Sequence, residues 1–557
     1  DASNAESAFT QAVKVEDVAD KRIDMAVFYG QANHVDEAIE WSRKALQANP
    51  TGRQERSIRS MLINALLLSN RWDESKNEID IFLNKYANDP EGRIYQSRLA
   101  MGQGNLSETE SILNDILSGN PDYIEALDLR SKIYLYRWEL EKVRADLERI
   151  QELAAGAAGL DNRINLAKLY GEMDLPVEAE QLSRQLIQEA AGQSGEWIER
   201  IRSGLILSLS SSLDEKQFED LLIWAGNANR EYWGWSYERG RFLMMKKKYK
   251  QARQAFAETW SAVAKAPMSL KQGVLESYLD SQFRAGDYSD LLKLTRQAAQ
   301  EMGQATFQIM CWEAAAYLSQ GQTSQGLKLY AQALAAEKNP LLIWQATKSP
   351  ILKAIDSREL SAALSQEAES SGVKVALACS YFASEDYARG DAIYRQLANA
   401  ASSNEEKVLY FYILGQEYTE RHKYSEAVGA FEEARQLDTD NLAVLNNLSY
   451  ILAEYQDKAA QALELMSSKF TAMSTNPDLL DTYGRILAKM GRVEEGLYYV
   501  AKSVWVRETS ASRYHLGLLL LEQNRRIDAR IQLNRAMQLV GDDAALEEAI
   551  RIELSKL

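Results

Sequence analysis

Small residues recur along this chain at a regular pitch, and larger apolar residues surround each of them. The pattern is plainest between residues 409 and 434, where Gly415 is followed by Tyr418, Ala427, Phe431 and Ala434. Apolar positions three and four apart on either side of Arg421–Lys423 give each flanking segment one apolar helical face. Gly415 and Ala427 let two helices approach closely, and Tyr418 and Phe431 fill the space around that contact. Arg421 to Lys423 is a polar break, and Tyr424 and Ser425 open the second helix. The segment predicts a helix–turn–helix hairpin.

The same small position can be followed from one end of the chain to the other. It is held by Ala38, Ser75, Thr109, Val143 and Ala179, then by Ala252, Leu291 and Gly326, then by Gly390, Ala427, Ala462, Gly496 and Ala529. Within each run the step is about 34 residues, the pitch of a two-helix repeat. First-helix markers accompany it: Ser131 with Tyr134, Ala167 with Tyr170, Gly415 with Tyr418, Gly484 with Leu487. Turn residues Asn70, Gly104 and Asp174 fall at the break within a hairpin. Asp89-Pro90 and Asn120-Pro121 fall between hairpins, where Asn or Asp before Pro initiates a turn. Pro176 is placed in the first turn of a helix, where a missing N–H costs little.

Two gaps span about two units each. Between Ala179 and Ala252 a degenerate unit at about 195–230 is expected, with helices near Trp197–Ser208 and Asp214–Ala225 and Leu209–Leu213 as connector. Between Gly326 and Gly390, Pro340 and Pro350 predict a short helix, a proline-broken bend and a second helix. The expected organisation is a first array over 6–340, an irregular segment over 341–370, and a second array over 371–557. The last array ends in a capping helix, 543–557, with Leu546, Ile550 and Leu554 on its apolar face. Residues 6–21 are expected to cap the first hairpin.

The pattern resembles tetratricopeptide (TPR) proteins over nearly the whole chain. That resemblance implies an all-α fold, a right-handed α-solenoid of about 13–15 hairpins. The stretch Asn446-Asn447-Leu448-Ser449-Tyr450, continued by Asp481-Thr482-Tyr483-Gly484, is similar to a form found in bacterial TPR proteins of polysaccharide export and protein sorting. The chain departs from the family where a Trp is usual, four residues before the small residue of the first helix. Arg22, Arg93, Leu127, Arg163, Ser236, Phe411, Leu480 and Arg513 stand there instead.

Composition narrows the function. A net charge of -16 argues against a general nucleic-acid binder. Cys311 and Cys379 are the only cysteines, and no zinc-ligand spacing is present. No apolar run is long enough to span a membrane. The chain starts at Asp1 rather than Met, so an upstream segment is expected to have been removed. Residues 1–5 are left out of the fold for that reason. HExxH, GxSxG, GxGxxG and GxxxxGK[ST] motifs are absent, and the three histidines, His34, His422 and His515, form no cluster in sequence. No enzyme and no cofactor is expected.

The resemblance implies binding through the concave face, by residues just after the small position of each first helix. Those carried forward as groove candidates are Asn64, Arg98, Lys132, Lys168 and Arg241. The basic members would form a ladder meeting carboxylates, and the alternative is that they snorkel to solvent or pair with acids such as Asp128. Trp233, Trp235 and Tyr237 join the candidates because Tyr232–Tyr237 cannot bury every ring on one helical face. The alternative for the tryptophans is core filling. Ser60 stands where a carboxylate clamp needs Lys before Asn64, so a clamp is not expected. The resulting expectation is a non-catalytic scaffold for a peptide or protein partner. The alternatives are a cell-envelope component of polysaccharide export, with a sugar or outer-membrane partner, and the TPR arm of a larger enzyme. The resemblance favours the periplasm or cell envelope over the cytoplasm, with the compartment left open.

Overall fold

A computed structural model describes residues 19–31, 34–48, 50, 52–87, 89–154, 159–190, 193, 195–348, 360, 364, 370–467, 476–541 and 543–557. Among them are thirty helices and no strand. Consecutive helices form antiparallel hairpins, and within each of the two compact units of the chain successive hairpins pack on one another. The fold is an all-α solenoid of TPR-like hairpins.

The reason lies in the small positions. Ala38, Ser75, Thr109, Val143, Ala179, Ala252, Leu291, Ala427, Ala462 and Ala529 are all buried. The polar ones cost little there. Ser75 Oγ donates to the Arg71 carbonyl and Thr109 Oγ1 to the Asn105 carbonyl, each at 2.9 Å, so neither hydroxyl is left without a partner. Where the position is glycine the fit is tightest. A Cβ on Gly415 would lie 2.6 Å from the Phe431 ring, and one on Gly517 would lie 2.9 Å from Leu533. Gly484 and Gly496 face each other, and a Cβ on either would meet the other's carbonyl oxygen at 2.7 or 2.6 Å. The turns repeat as well. Asn70, Asp174 and His422 have φ of 54°, 58° and 58°, and Gly104 has 82°. One left-handed residue reverses the chain in each of these turns, a conformation that Gly, Asn and Asp adopt most readily.

The chain divides into two compact units, up to Leu169 and from Tyr170. The first holds α1 (Ala19–Gln31) with α2 (Val35–Gln47), α3 (Gly52–Leu68) with α4 (Trp72–Lys85), α5 (Pro90–Gly102) with α6 (Leu106–Gly119), and α7 (Ile124–Tyr136) with α8 (Leu140–Leu153). α9 (Leu160–Glu172) carries the boundary. The core passes from hairpin to hairpin: Ile63 of α3, Ile79 and Phe82 of α4, and Tyr95 and Leu99 of α5 form one buried cluster.

The second unit continues with α10 (Pro176–Ala190), α11 (Gly195–Ser212), α12 (Glu215–Ala228), α13 (Gly234–Met245), α14 (Tyr249–Ala262), α15 (Met268–Arg284), α16 (Tyr288–Glu301), α17 (Phe307–Ser319), α18 (Thr323–Ala336) and α19 (Pro340–Thr347). It then runs through α20 (Ser371–Ala383), α21 (Tyr387–Ala400), α22 (Asn404–Thr419), α23 (Tyr424–Leu437), α24 (Leu442–Tyr455), α25 (Ala459–Ser467), α26 (Pro477–Lys489), α27 (Val493–Val506), α28 (Ser510–Glu522), α29 (Arg526–Leu539) and α30 (Ala544–Ser555). α30 lays Leu546, Ile550 and Leu554 on Leu533 and Ala536 of α29 and leaves Ile552 on its outer side. It closes the apolar end of the last hairpin, as a terminal cap must.

One reading of the sequence is revised. The expected connector 209–213 is largely helix: α11 runs to Ser212, and Asp214 caps α12 by accepting from the Gln217 N–H at 2.8 Å. The serine run does not break α11, because Leu209 is buried and holds the helical path. Of the cap expected over 6–21, residues 19–21 open α1 and the rest lies outside the described residues, as do Pro350 and most of 341–370, so a division of the array there stays a proposal. What is described of that segment is anchored: Trp344 Nε1 donates to Glu417 Oε1 at 2.6 Å, and Lys348 pairs with Glu417 at 2.7 Å and with Glu420 at 2.6 Å. No described helix is long and apolar enough to cross a membrane.

Replacing Gly415 by Leu should lower stability by about 3 kcal/mol or more, since even its Cβ must displace Phe431. Gly429, on the exposed side of α23, meets nothing within 4 Å, and Gly429→Ala should raise stability by about 0.5–1 kcal/mol. Urea midpoints of the two variants should therefore move in opposite directions.

Candidate functional site

In the first unit the predicted ladder runs as a polar row across successive first helices. Arg98 Nη1 donates to Asn64 Oδ1 at 2.9 Å, and Arg98 Nη2 pairs with Glu125 at 2.5 Å. Lys132 pairs with Asp128 one turn back on α7, at 2.6 Å. Lys168 is half-buried on α9. Arg98 and Lys132 thus already face carboxylates of this chain while remaining partly exposed.

Around Trp233 the placement differs from expectation. Trp235 is only 1 % exposed and does not present its ring to a groove. It lies within the core of the array, near Gly226 of α12. Trp233 is half-buried, edge-on to Tyr237 with ring centroids 5.8 Å apart. Tyr237 reaches Ser277 of α15 at 3.2 Å, and exposed Arg241 pairs with Glu238 at 3.2 Å. Asn64, Arg98, Lys132 and Lys168 belong to the first compact unit of the chain, and Trp233, Trp235, Tyr237 and Arg241 to the second.

A more enclosed site lies in the second unit. α24, α26, α28 and α30 together line a cavity of about 550 Å3. Asn447, Asp481 and His515 line it from three successive first helices, 34 residues apart in the chain. The stretches 446–450 and 481–484, singled out in the sequence, meet here. His515 is buried, and its Nδ1 lies 2.7 Å from Asp481 Oδ2. It is bonded to an acid of the neighbouring hairpin rather than packed alone. Tyr450, Tyr455 and Tyr514 add phenol rings to the wall. The residue after the small position, which the resemblance assigned to the groove, is here a support: Arg485 is buried and holds Glu454 at 2.9 Å.

Behind the cavity α28 is fixed by a buried charge cluster. Arg513, between the lining residues Ser512 and Tyr514, donates to both oxygens of Glu172, at 2.8 and 2.6 Å. It also donates to Glu508 at 2.9 Å and to Gln532 at 2.5 Å. Arg535 of α29 donates to the Gly171 carbonyl and faces Glu172 as a second cation. Glu172 and Arg513 side chains are each 2 % exposed. The first residues of the second unit are thereby held against its last hairpin. Burial alone would raise the Glu172 pKa, but the charges of Arg513 and then Arg535 outweigh it and hold the carboxyl at about 2.

No protein-family model matches the chain, and no curated protein does. Among solved structures, the chain is similar to one in the crystal structure of the APC/C hetero-tetramer Cut9–Hcn1, at 10% identity and a TM-score of 0.32, covering 96% of both chains. It is also similar to a chain in the structure of Naa15/Naa10 bound to HypK-THB, at 12% identity and a TM-score of 0.28, covering 90% of this chain and 79% of that one. At such scores neither likeness bears on the function.

Glu172→Gln should leave two buried arginines undercompensated and cost about 3–5 kcal/mol at pH 7. The folded carboxyl titrates near 2 rather than its ordinary 4.5, so its stabilising charge is present above 4.5 and lost as pH falls toward 2. Urea unfolding across that window should show the gap between wild type and variant closing.

Proposed function

We propose that this chain is a non-catalytic scaffold that holds an extended segment of a protein partner in the cavity formed by α24, α26, α28 and α30. The observation that carries this reading is the alignment of Asn447, Asp481 and His515 on three successive first helices around one cavity. Groups repeated at hairpin spacing suit a ligand that is itself a repeating chain, with a hydrogen-bonding peptide unit at each step. The volume lies within the range of ligand pockets, and polar groups on an aromatic wall provide both contact area and orientation. The helices that bear these groups are fixed by their own hairpins and, for α28, by the Glu172 cluster, so little ordering accompanies binding. The polar row of Asn64 and Arg98 in the first unit offers a second stretch for the same kind of contact.

Peptides selected from a random library against the full chain test the reading. Ala545 is exposed and lines the cavity, so Ala545→Trp should fill it while changing stability by less than about 0.5 kcal/mol. Selected peptides should bind the wild-type chain and lose about tenfold or more in affinity for the variant. Equal binding to both would place the partner elsewhere.

A further inference from the structure

The wall of the α24–α30 cavity is unbalanced in its hydrogen bonding. Several of its donors are already engaged within the chain. Arg507 donates to Asp478 at 2.6 Å, Ser503 Oγ to the Pro477 carbonyl at 2.7 Å, and Asn447 Nδ2 to the Ala443 carbonyl at 2.9 Å. Thr509 and Ser512 close on each other as the capping box of α28. A neutral His515 that donates from Nδ1 to Asp481 presents Nε2 as an acceptor.

Acceptors, by contrast, are left over. Asp481 Oδ1 and Asn446 Oδ1 are buried and have no hydrogen-bond partner. They line the same cavity from neighbouring inner helices, α26 and α24. A buried carboxylate oxygen without a donor is costly, and the cost is removed by a guest that brings donors. A cationic guest does so with charge assistance, which a neutral one lacks. The rings fit the same guest. Tyr455 is 46% exposed and stacked on Tyr424 at 3.8 Å, and with Tyr450 it lines the cavity with aromatic rings, a surface compatible with a cation. Three carboxylates, Asp478, Asp481 and Asp543, line the cavity against one guanidinium, Arg507, which already pairs with Asp478.

We infer that the cavity between α24 and α30 selects a cationic side chain, a guanidinium or ammonium group, on the bound segment, with Asp481 as its counter-charge and Asn446 as a second acceptor. The inference rests on the groove reading above and adds the chemical class of the partner. It assigns the acidic character of this surface to recognition and not only to solubility.

Short Gly/Ser peptides carrying Arg, Gln or Glu at the centre and a benzophenone at one end, photolysed with the full chain, separate the two claims. The Arg peptide should label α24–α30 most strongly. Asp481→Asn keeps an acceptor for His515 and removes the charge, and it should weaken the Arg peptide by about tenfold or more. Asp543→Asn keeps the cap of α30 and should weaken it less, which preserves a reading if the first variant folds poorly. If the Gln peptide labels α24–α30 as strongly as the Arg peptide, or both variants leave the Arg peptide unchanged, the cationic assignment is overturned while the groove reading stands. If no peptide labels α24–α30, or the Arg peptide labels acidic surface evenly along the chain, both are overturned.

Discussion

The repeating architecture of this molecule follows from how closely two helices can cross inside one hairpin. At Gly484 and Gly496 the backbones meet with no room for a methyl group on either side. At Gly415 and Gly517 an aromatic or leucine side chain from the partner helix takes that room. Close crossing sets the hairpin angle, and the angle decides which residues face the next hairpin. A single steric condition, met again about every 34 residues, thus builds the core of each unit from packed helices. Ser75 and Thr109 satisfy the same condition with hydroxyls that return to their own helix.

The second unit adds something that nearest-neighbour stacking does not provide. Glu172 and Arg513 are 341 residues apart in sequence, yet they form a bidentate pair almost free of solvent. Two arginines and two glutamates share the cluster, so its charges balance, and Gln532 and the Gly171 carbonyl take further donors. Such a cluster gives little net stability over an apolar one but penalises every arrangement that separates its members. It fixes α28, and α28 carries His515, Tyr514 and Ser512 into the cavity. Position, more than strength, is what the cluster supplies to the site.

Much of this was legible in the sequence. The small positions from Ala38 to Ala529 marked the hairpins because a steric rule leaves a periodic trace. The terminal cap was legible because Leu546, Ile550 and Leu554 share one helical face. The site was legible only in part. The stretches at Asn446–Tyr450 and Asp481–Gly484 pointed to it, but the rule that the residue after the small position lines the groove selected Arg485, which is buried on Glu454. Recurrence of polar residues at Asn447, Asp481 and His515 was the available signal, one turn earlier on each helix. Trp235 was misplaced because the packing that buries its ring comes from other parts of the chain, which the local run of aromatics does not reveal. Arg513 was visible as a departure from the usual Trp, but nothing local names Glu172 as its partner. Long-range pairings leave no period to read.

The central claim is that the close crossing within each hairpin, passed on only to adjoining hairpins, holds the array together. Amide hydrogen exchange on Gly484→Leu tests it most directly. The steric account predicts loss of protection in α26 and α27 and in their immediate neighbours α24, α25 and α28, with α13 to α18 exchanging at wild-type rates. Protection lost evenly across the second unit, or retained in α26 and α27, would contradict it.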